Sequence, residues 1–284
     1  MLSDAGISYQ DYDGAGNQTT QTEQIQTAIT TGAKAIVVNI VNTGSDDAAN
    51  EIVGLARDAG IPVVFFNREV ADEVIKSPGI PDTIPVIQSI LNQGIPVISE
   101  IEFGGRYDRA KKICITGSNG KTTTTSIIYY LLKNAGLNVG LGGNIGASYA
   151  YQVATCDYDY YVVELSSFQL DNMYDFKADI AVLLNITPDH LDRYDYKMEN
   201  YIDAKFRITR NQTPNDAFIY WNDDPVINEK LRSLQLNSQV YPFSETQEPH
   251  SSAYTQDHKV VINTPDDVFE MSEEELALPG RHNL

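Results

Sequence analysis

Twelve consecutive residues, Lys112-Ile113-Cys114-Ile115-Thr116-Gly117-Ser118-Asn119-Gly120-Lys121-Thr122-Thr123, constrain this chain more than any other stretch. The apolar run predicts a buried strand, the glycines bracket a turn, and residues 124–133 predict a helix closed by Asn134-Ala135-Gly136. Strand, glycine turn, Lys-Thr and helix form the layout of a phosphate-binding loop. In such a loop the backbone N–H groups of Gly117, Ser118, Asn119, Gly120, Lys121, Thr122 and Thr123 surround phosphates at a helix N-terminus. Lys121 adds a point charge, and the Thr122 hydroxyl can reach Mg²⁺. The strict pattern places glycine where this chain has Ile115, so the match is to a variant, T-G-S-N-G-K-T.

Composition narrows the setting. The 284 residues are 42% apolar, enough for one large or two medium cores, and the net charge is −19. Both halves are acidic, with six basic and fifteen acidic side chains up to residue 110 and fourteen and twenty-four beyond it. Neither offers a basic face for nucleic acid or anionic lipid, so a triphosphate must be attracted locally, by a loop and by metal ions. Two cysteines, Cys114 in a predicted buried strand and Cys156 in a loop, fit a reduced compartment without a disulfide frame. The first residues have neither a basic region nor an apolar run, and no stretch approaches the ~20 apolar residues of a membrane helix. The expected location is the cytoplasm.

The remaining motifs lie at predicted strand ends. Residues 137–146 read as a strand running into the glycine-rich turn that carries Asn144. A strand at 160–163 delivers Glu164, followed by Leu165-Ser166-Ser167-Phe168-Gln169. Another, at 179–184, ends in Asn185 and a Thr-Pro turn projecting Asp189, His190, Asp192 and Arg193. Residues 199–210 predict a helix carrying Lys205, which alone would read as a solvated charge. Asn222 and Asp223 follow the strand that begins at 217. In an open parallel sheet these carboxyl ends share one edge, and ligands bind there. A carboxylate at such an end, beside a Lys-Thr loop, is an expected Mg²⁺ ligand.

From about residue 74 to 284 these motifs together resemble the Mur ligases, and most closely the D-glutamate-adding branch. The matching segments are T-G-S-N-G-K-T, G-N-I-G, E-L-S-S-F-Q, N-x-T-x-D-H-x-D-R-Y, A-K-x-R and N-D-D. The resemblance implies ATP and Mg²⁺ as cofactors. It implies UDP-N-acetylmuramoyl-L-alanine and D-glutamate as substrates, joined through an acyl phosphate. It assigns Thr122, Glu164, His190 and a carbamylated Lys205 to the metals, with Lys121, His190 and Lys205 catalytic. Ser77, Gly79, Asn144, Ser166, Gln169 and Arg193 would meet the substrate, and Asn222 and Asp223 the adenosine. Read as plain chemistry, Ser77-Pro78-Gly79 is a turn.

Residues 1–72 read differently. A helix at 23–32, a strand at 35–41, a helix at 46–59 and a strand at 61–67 predict an α/β layer, with residues 1–22 as loop. T-G-A-K-A-I-V-V-N and A-G-I-P-V-V-F-F-N-R-E are similar to the first lobe of periplasmic galactose- and glucose-binding proteins. There Asn67 would meet sugar; the plain reading is a strand cap. The expected organisation is this segment, a remnant of a Mur N-terminal domain and linker at 73–105, and a central ATP-binding domain at 106–284 without its C-terminal domain. The fold class is α/β, a doubly wound parallel sheet of phosphate-loop type. Three functions compete: a D-glutamate-adding ligase, a nucleotide-binding fragment without turnover, and a sugar-binding module.

Overall fold

Runs of β-branched residues separated by helical stretches become parallel strands, because each crossover helix returns the chain to the same sheet edge. The computed structural model describes residues 8–41, 46–65, 73–265 and 267–276. The chain divides into two compact units, Met1–Val74 and Ile75–Leu284.

In the first unit, α1 (Gln18–Thr30) and α2 (Asp46–Ala59) accompany two parallel strands, β1 (Ile36–Val38) and β2 (Val63–Phe65), with Ile36 opposite Val63. Their core gathers Ile25, Ile36, Val38, Ile40 and Ile52. Helix α1 begins inside the stretch expected to be loop. Asn17 supplies the reason: its side chain accepts a hydrogen bond from Thr20 N, an N-cap that a polar sequence conceals. Asn67 lies outside the described residues.

Strand β3 (Val74–Lys76) begins at the boundary; α3 (Pro85–Asn92) and β4 (Val97–Ser99) follow, and β4 pairs with β3. The strand expected over 95–103 stops at Ser99, and α4 (Glu100–Gly105) follows. Ser99 accepts from Glu102 N, and two glutamates occupy the first helical turn, where the helix dipole favours negative charge. The buried Glu102 carboxylate then accepts from the amides of Tyr174, Asp175 and Phe176, fixing α4 to that loop.

The main sheet follows in βα steps: β5 (Lys111–Thr116), α5 (Lys121–Asn134), β6 (Val139–Gly143), α6 (Tyr149–Thr155), β7 (Tyr160–Glu164), α7 (Ser167–Asp171) and β8 (Ile180–Leu183). It continues through α8 (Met198–Phe206), β9 (Ala217–Trp221), α9 (Pro225–Leu231), β10 (Gln239–Thr246), β11 (Ala253–Gln256), β12 (Lys259–Asn263) and β13 (Val268–Ser272). The strand order is β13-β12-β11-β10-β9-β8-β5-β7-β6, parallel from β6 to β11 and antiparallel beyond. Helix α9 directly follows the Asp-Asp-Pro turn, where the sequence suggested only a polar strand end; Asp224 caps it through Val226 N and Ile227 N.

Both faces of the sheet are buried around β5, β7 and β8, so neighbouring residues on one strand enter different cores. Cys114, Val163 and Ala181 pack with Leu165, Leu170 and Phe218 on one face. Ile115, Val162 and Val182 pack beneath Ile128 and Leu132 of α5 on the other. Strand β5 lies between β7 and β8, with Cys114 opposite Val163 and Ala181. The chain therefore reverses its direction of winding at β5, and the carboxyl ends of β5, β7 and β8 border one crevice.

Candidate nucleotide and metal site

The loop after β5 fits against the segment after β8. Gly117 has φ +156, and a Cβ there would lie 3.0 Å from Leu184 Cβ and 3.3 Å from Asn185 N, so a side chain would press the segment after β8 outward by a few tenths of an ångström. Ser118 Oγ donates to Thr187 O at 2.9 Å, accepts from Thr187 N at 2.9 Å and meets Tyr201 OH at 3.0 Å. Its one donor and two acceptor positions are thus filled by the protein. Ser118 N and Asn119 N are donated to Asn185 O and Asn185 Oδ1. What remains for an anion is the first turn of α5, whose N-cap Gly120 (φ +82) contributes no side-chain cap.

Lys121 Nζ donates to Gly117 O and Ser118 O, at 2.9 Å each. Lys205 Nζ reaches the same Gly117 O at 2.8 Å from α8 and lies 4.7 Å from the centre of the Tyr201 ring. Lys205 is only 1% exposed. Burial, and then the Lys121 charge, lower its pKa from 10.5 to about 7. Thr122 and Thr123 are exposed on the first turn of α5.

Glu164, at the end of β7, is 1% exposed. Its Oε1 accepts from Asn144 Nδ2 at 2.8 Å, and its backbone oxygen accepts from Asn144 N at 2.9 Å. Its Oε2 is buried without a hydrogen-bond partner in the protein. A carboxylate oxygen left bare in the interior is costly, and a hard divalent cation satisfies it. His190, about half exposed, has φ +50; its Nε2 lies 3.5 Å from Asp189 Oδ2 and its ring 5.2 Å from that of Phe168. Among the described residues no group of three or more His, Cys, Asp or Glu side chains is placed to hold a metal ion by itself. The bare Glu164 oxygen and the half-exposed His190 could each offer one protein ligand to a cation, with ligand oxygens and water completing the shell. So few protein ligands suit Mg²⁺.

One cavity of ≈ 280 Å³ is lined by Gly79, Lys121, Asn144, Ser166, His190 and Lys205, together with Pro78, Ser167, Phe168, Asp189 and Tyr201. Gln169 lies behind it: Ser166 and Gln169 form the reciprocal capping box of α7. Arg193 stacks its guanidinium 4.3 Å from the centre of the Phe168 ring and lines a neighbouring cavity of ≈ 370 Å³ instead. Ser77 is exposed outside the lining, and its carbonyl accepts from Ile80 N. Asn222 and Asp223 stand apart, at the end of β9. Asp223 Oδ2 accepts from Trp221 Nε1 and Glu245 N, and Asn222 N donates to Phe243 O. Tyr201 is a contributor that sequence reasoning passed over. Its signal was position, one helical turn before Lys205 on the same face of α8.

A doubly wound sheet, a glycine loop at its switch point and two converging lysines define a phosphate-loop α/β protein. A family model for the Mur ligase middle domain matches residues 115–284, and the chain belongs to that family. A model for a periplasmic binding protein domain matches residues 1–81. The UDP-N-acetylmuramoylalanine--D-glutamate ligase of Bacteroides fragilis is 65% identical over 214 residues, covering 75% of this chain and 48% of that protein. The Porphyromonas gingivalis protein of the same name is 55% identical over 215 residues, with the same coverage. The chain therefore spans about half the length of the curated relatives it matches. Among solved structures, the UDP-N-acetylmuramate:L-alanyl-gamma-D-glutamyl-meso-diaminopimelate ligase from Neisseria meningitides shares the fold. Its TM-score is 0.53 at 18% identity, covering 90% of this chain and 83% of that one. Among the described residues no helix is long and apolar enough to cross a membrane.

Proposed function

We propose that this chain carries the ATP- and Mg²⁺-binding part of a ligase that adds D-glutamate to UDP-N-acetylmuramoyl-L-alanine. The observation that carries the reading is the convergence of Lys121, Lys205, His190 and Asn144 on one cavity at the switch point of the sheet. The relatives' shared name supplies the substrate class.

In this reading the substrate carboxylate attacks the γ-phosphorus of ATP, the bond to the β-phosphate oxygen breaks, and ADP leaves an acyl phosphate behind. The amine of D-glutamate then attacks the activated carbonyl, loses a proton and expels inorganic phosphate. Lys121 and the first-turn amides of α5 spread the phosphoryl charge. Glu164, His190, Thr122 and carbamylated Lys205 would hold Mg²⁺, which when bound neutralises phosphate oxygens. Lys205 suits carbamylation because a buried amine with a pKa of about 7 is substantially neutral near neutral pH, and the neutral amine takes up CO₂. Asn144 holds Glu164 in place through its Nδ2.

The test measures two quantities on this chain: ATP affinity, and D-glutamate-dependent phosphate release in the presence of UDP-N-acetylmuramoyl-L-alanine. Binding with release supports the full reading. Binding without release reduces it to a nucleotide-binding fragment, and absence of binding removes both.

A further inference from the structure

Asn185, the second residue after β8, has a side chain both of whose polar atoms meet a single residue of the loop. Its Oδ1 accepts from Asn119 N at 2.8 Å, and its Nδ2 donates to Asn119 O at 3.1 Å. Its own carbonyl accepts from Ser118 N at 2.9 Å. An amide side chain is the group suited to this task. It offers a donor and an acceptor on one plane, as a neighbouring strand's backbone would.

We propose that Asn185 is a positioning residue for nucleotide binding. By taking up the amides of Ser118 and Asn119 it sets the loop so that the anion is met from Gly120 onward. The proposal rests on the nucleotide reading above and names the residue that gives the loop its shape. The same short segment continues through Thr187, which takes up the Ser118 hydroxyl, to Asp189 and His190. Loop and proposed metal side chains are thereby tied to one another over six residues.

The test compares wild type, Asn185→Ala, Asn185→Asp and a control, Gln212→Ala. Gln212 is buried and its Nε2 donates to Ala178 O and Ala217 O, near the opposite ends of β8 and β9. Three readouts are taken on the intact chain: amide hydrogen exchange over residues 117–120 without ligand, affinity for ADP with Mg²⁺ by calorimetry, and melting temperature. In Asn185→Ala, exchange should quicken by roughly 10-fold or more and affinity fall by about 10-fold. Asn185→Asp should bind more weakly still, because it sets a carboxylate against Asn119 O and adds negative charge beside the anion. Gln212→Ala should lower the melting temperature while leaving exchange and affinity at wild-type values. Wild-type exchange or wild-type affinity in Asn185→Ala would overturn the proposal. So would a Gln212→Ala protein that loosens the loop as much. A wild-type chain that binds no ADP would overturn the nucleotide reading and this proposal with it, whereas the variant results bear on Asn185 alone.

Discussion

Lys121 and Lys205 donate to one oxygen, the carbonyl of Gly117, from opposite sides of the loop, at 2.9 and 2.8 Å. Burial first, and then the charge of the neighbouring lysine, bring the pKa of Lys205 down to about 7, close to neutrality. Lys121 is the lysine of the loop itself, at the start of α5. Lys121→Ala should therefore cost about 100-fold or more in ATP affinity, since a charge-assisted contact to phosphate is lost. Calorimetry with ATP and Mg²⁺ checks this; unchanged affinity would count against the site.

The sign of the pH dependence follows from the same lysine. Its folded pKa is about 7, below the 10.5 of the free side chain. Between those values the unfolded chain binds the extra proton, so stability rises with pH across that window and is lowest below it. Replacing Lys205 with Met should remove this contribution, which amounts at most to about 1.4 kcal/mol per pH unit. Urea unfolding of both proteins at pH 7 and pH 9, in CO₂-free buffer, should show wild type gaining about 2 kcal/mol relative to the variant.

Glu164→Gln keeps the shape of the side chain and removes its charge. Affinity for ADP with Mg²⁺ should drop about 10-fold, while affinity measured in EDTA stays near wild type. Equal losses with and without metal would argue that Glu164 serves only to anchor Asn144.

Gly143 closes β6 with φ +99, and a Cβ there would sit 2.2 Å from Glu164 O. Gly143→Ala should destabilise the fold by about 3 kcal/mol, through backbone strain and a contact that only main-chain movement can relieve. Its denaturation midpoint should fall accordingly, with ADP affinity in Mg²⁺ falling alongside as Asn144 and Glu164 separate.

Asp224 joins two elements: its Oδ2 accepts from Ile186 N at 2.8 Å, and its Oδ1 caps α9 through Val226 N and Ile227 N. Asp224→Ala removes a cap and leaves a buried amide bare, for a loss of about 2–4 kcal/mol in denaturant unfolding.

Much of this was legible in the sequence. Gly117, Gly120 and Lys121 announced the loop, and the apolar runs ending at Glu164 and Asn185 announced the strands on either side of it. Continuous apolar runs carry such information because both faces of the central strands are buried. Other features were not legible. Ser99 stops a strand and starts a helix through one side-chain hydrogen bond, inside an apolar run that reads as continuous strand. Asn17 starts α1 in a polar stretch with little apolar periodicity. The N-D-D motif gives no sign that Asn222 and Asp223 hydrogen-bond to β10 and Trp221. A motif gives residue types; which neighbour each one meets is decided by packing across the sheet.

Helix α5 starts unfinished. Asn17 completes the beginning of α1 and Ser166 that of α7, but Gly120 has no side chain with which to do the same, and no acidic residue follows in the first turn. A phosphate seated there would supply the missing acceptor. The nucleotide would then complete the secondary structure at the middle of the sheet, and its departure would leave the chain's central helix with a bare positive pole.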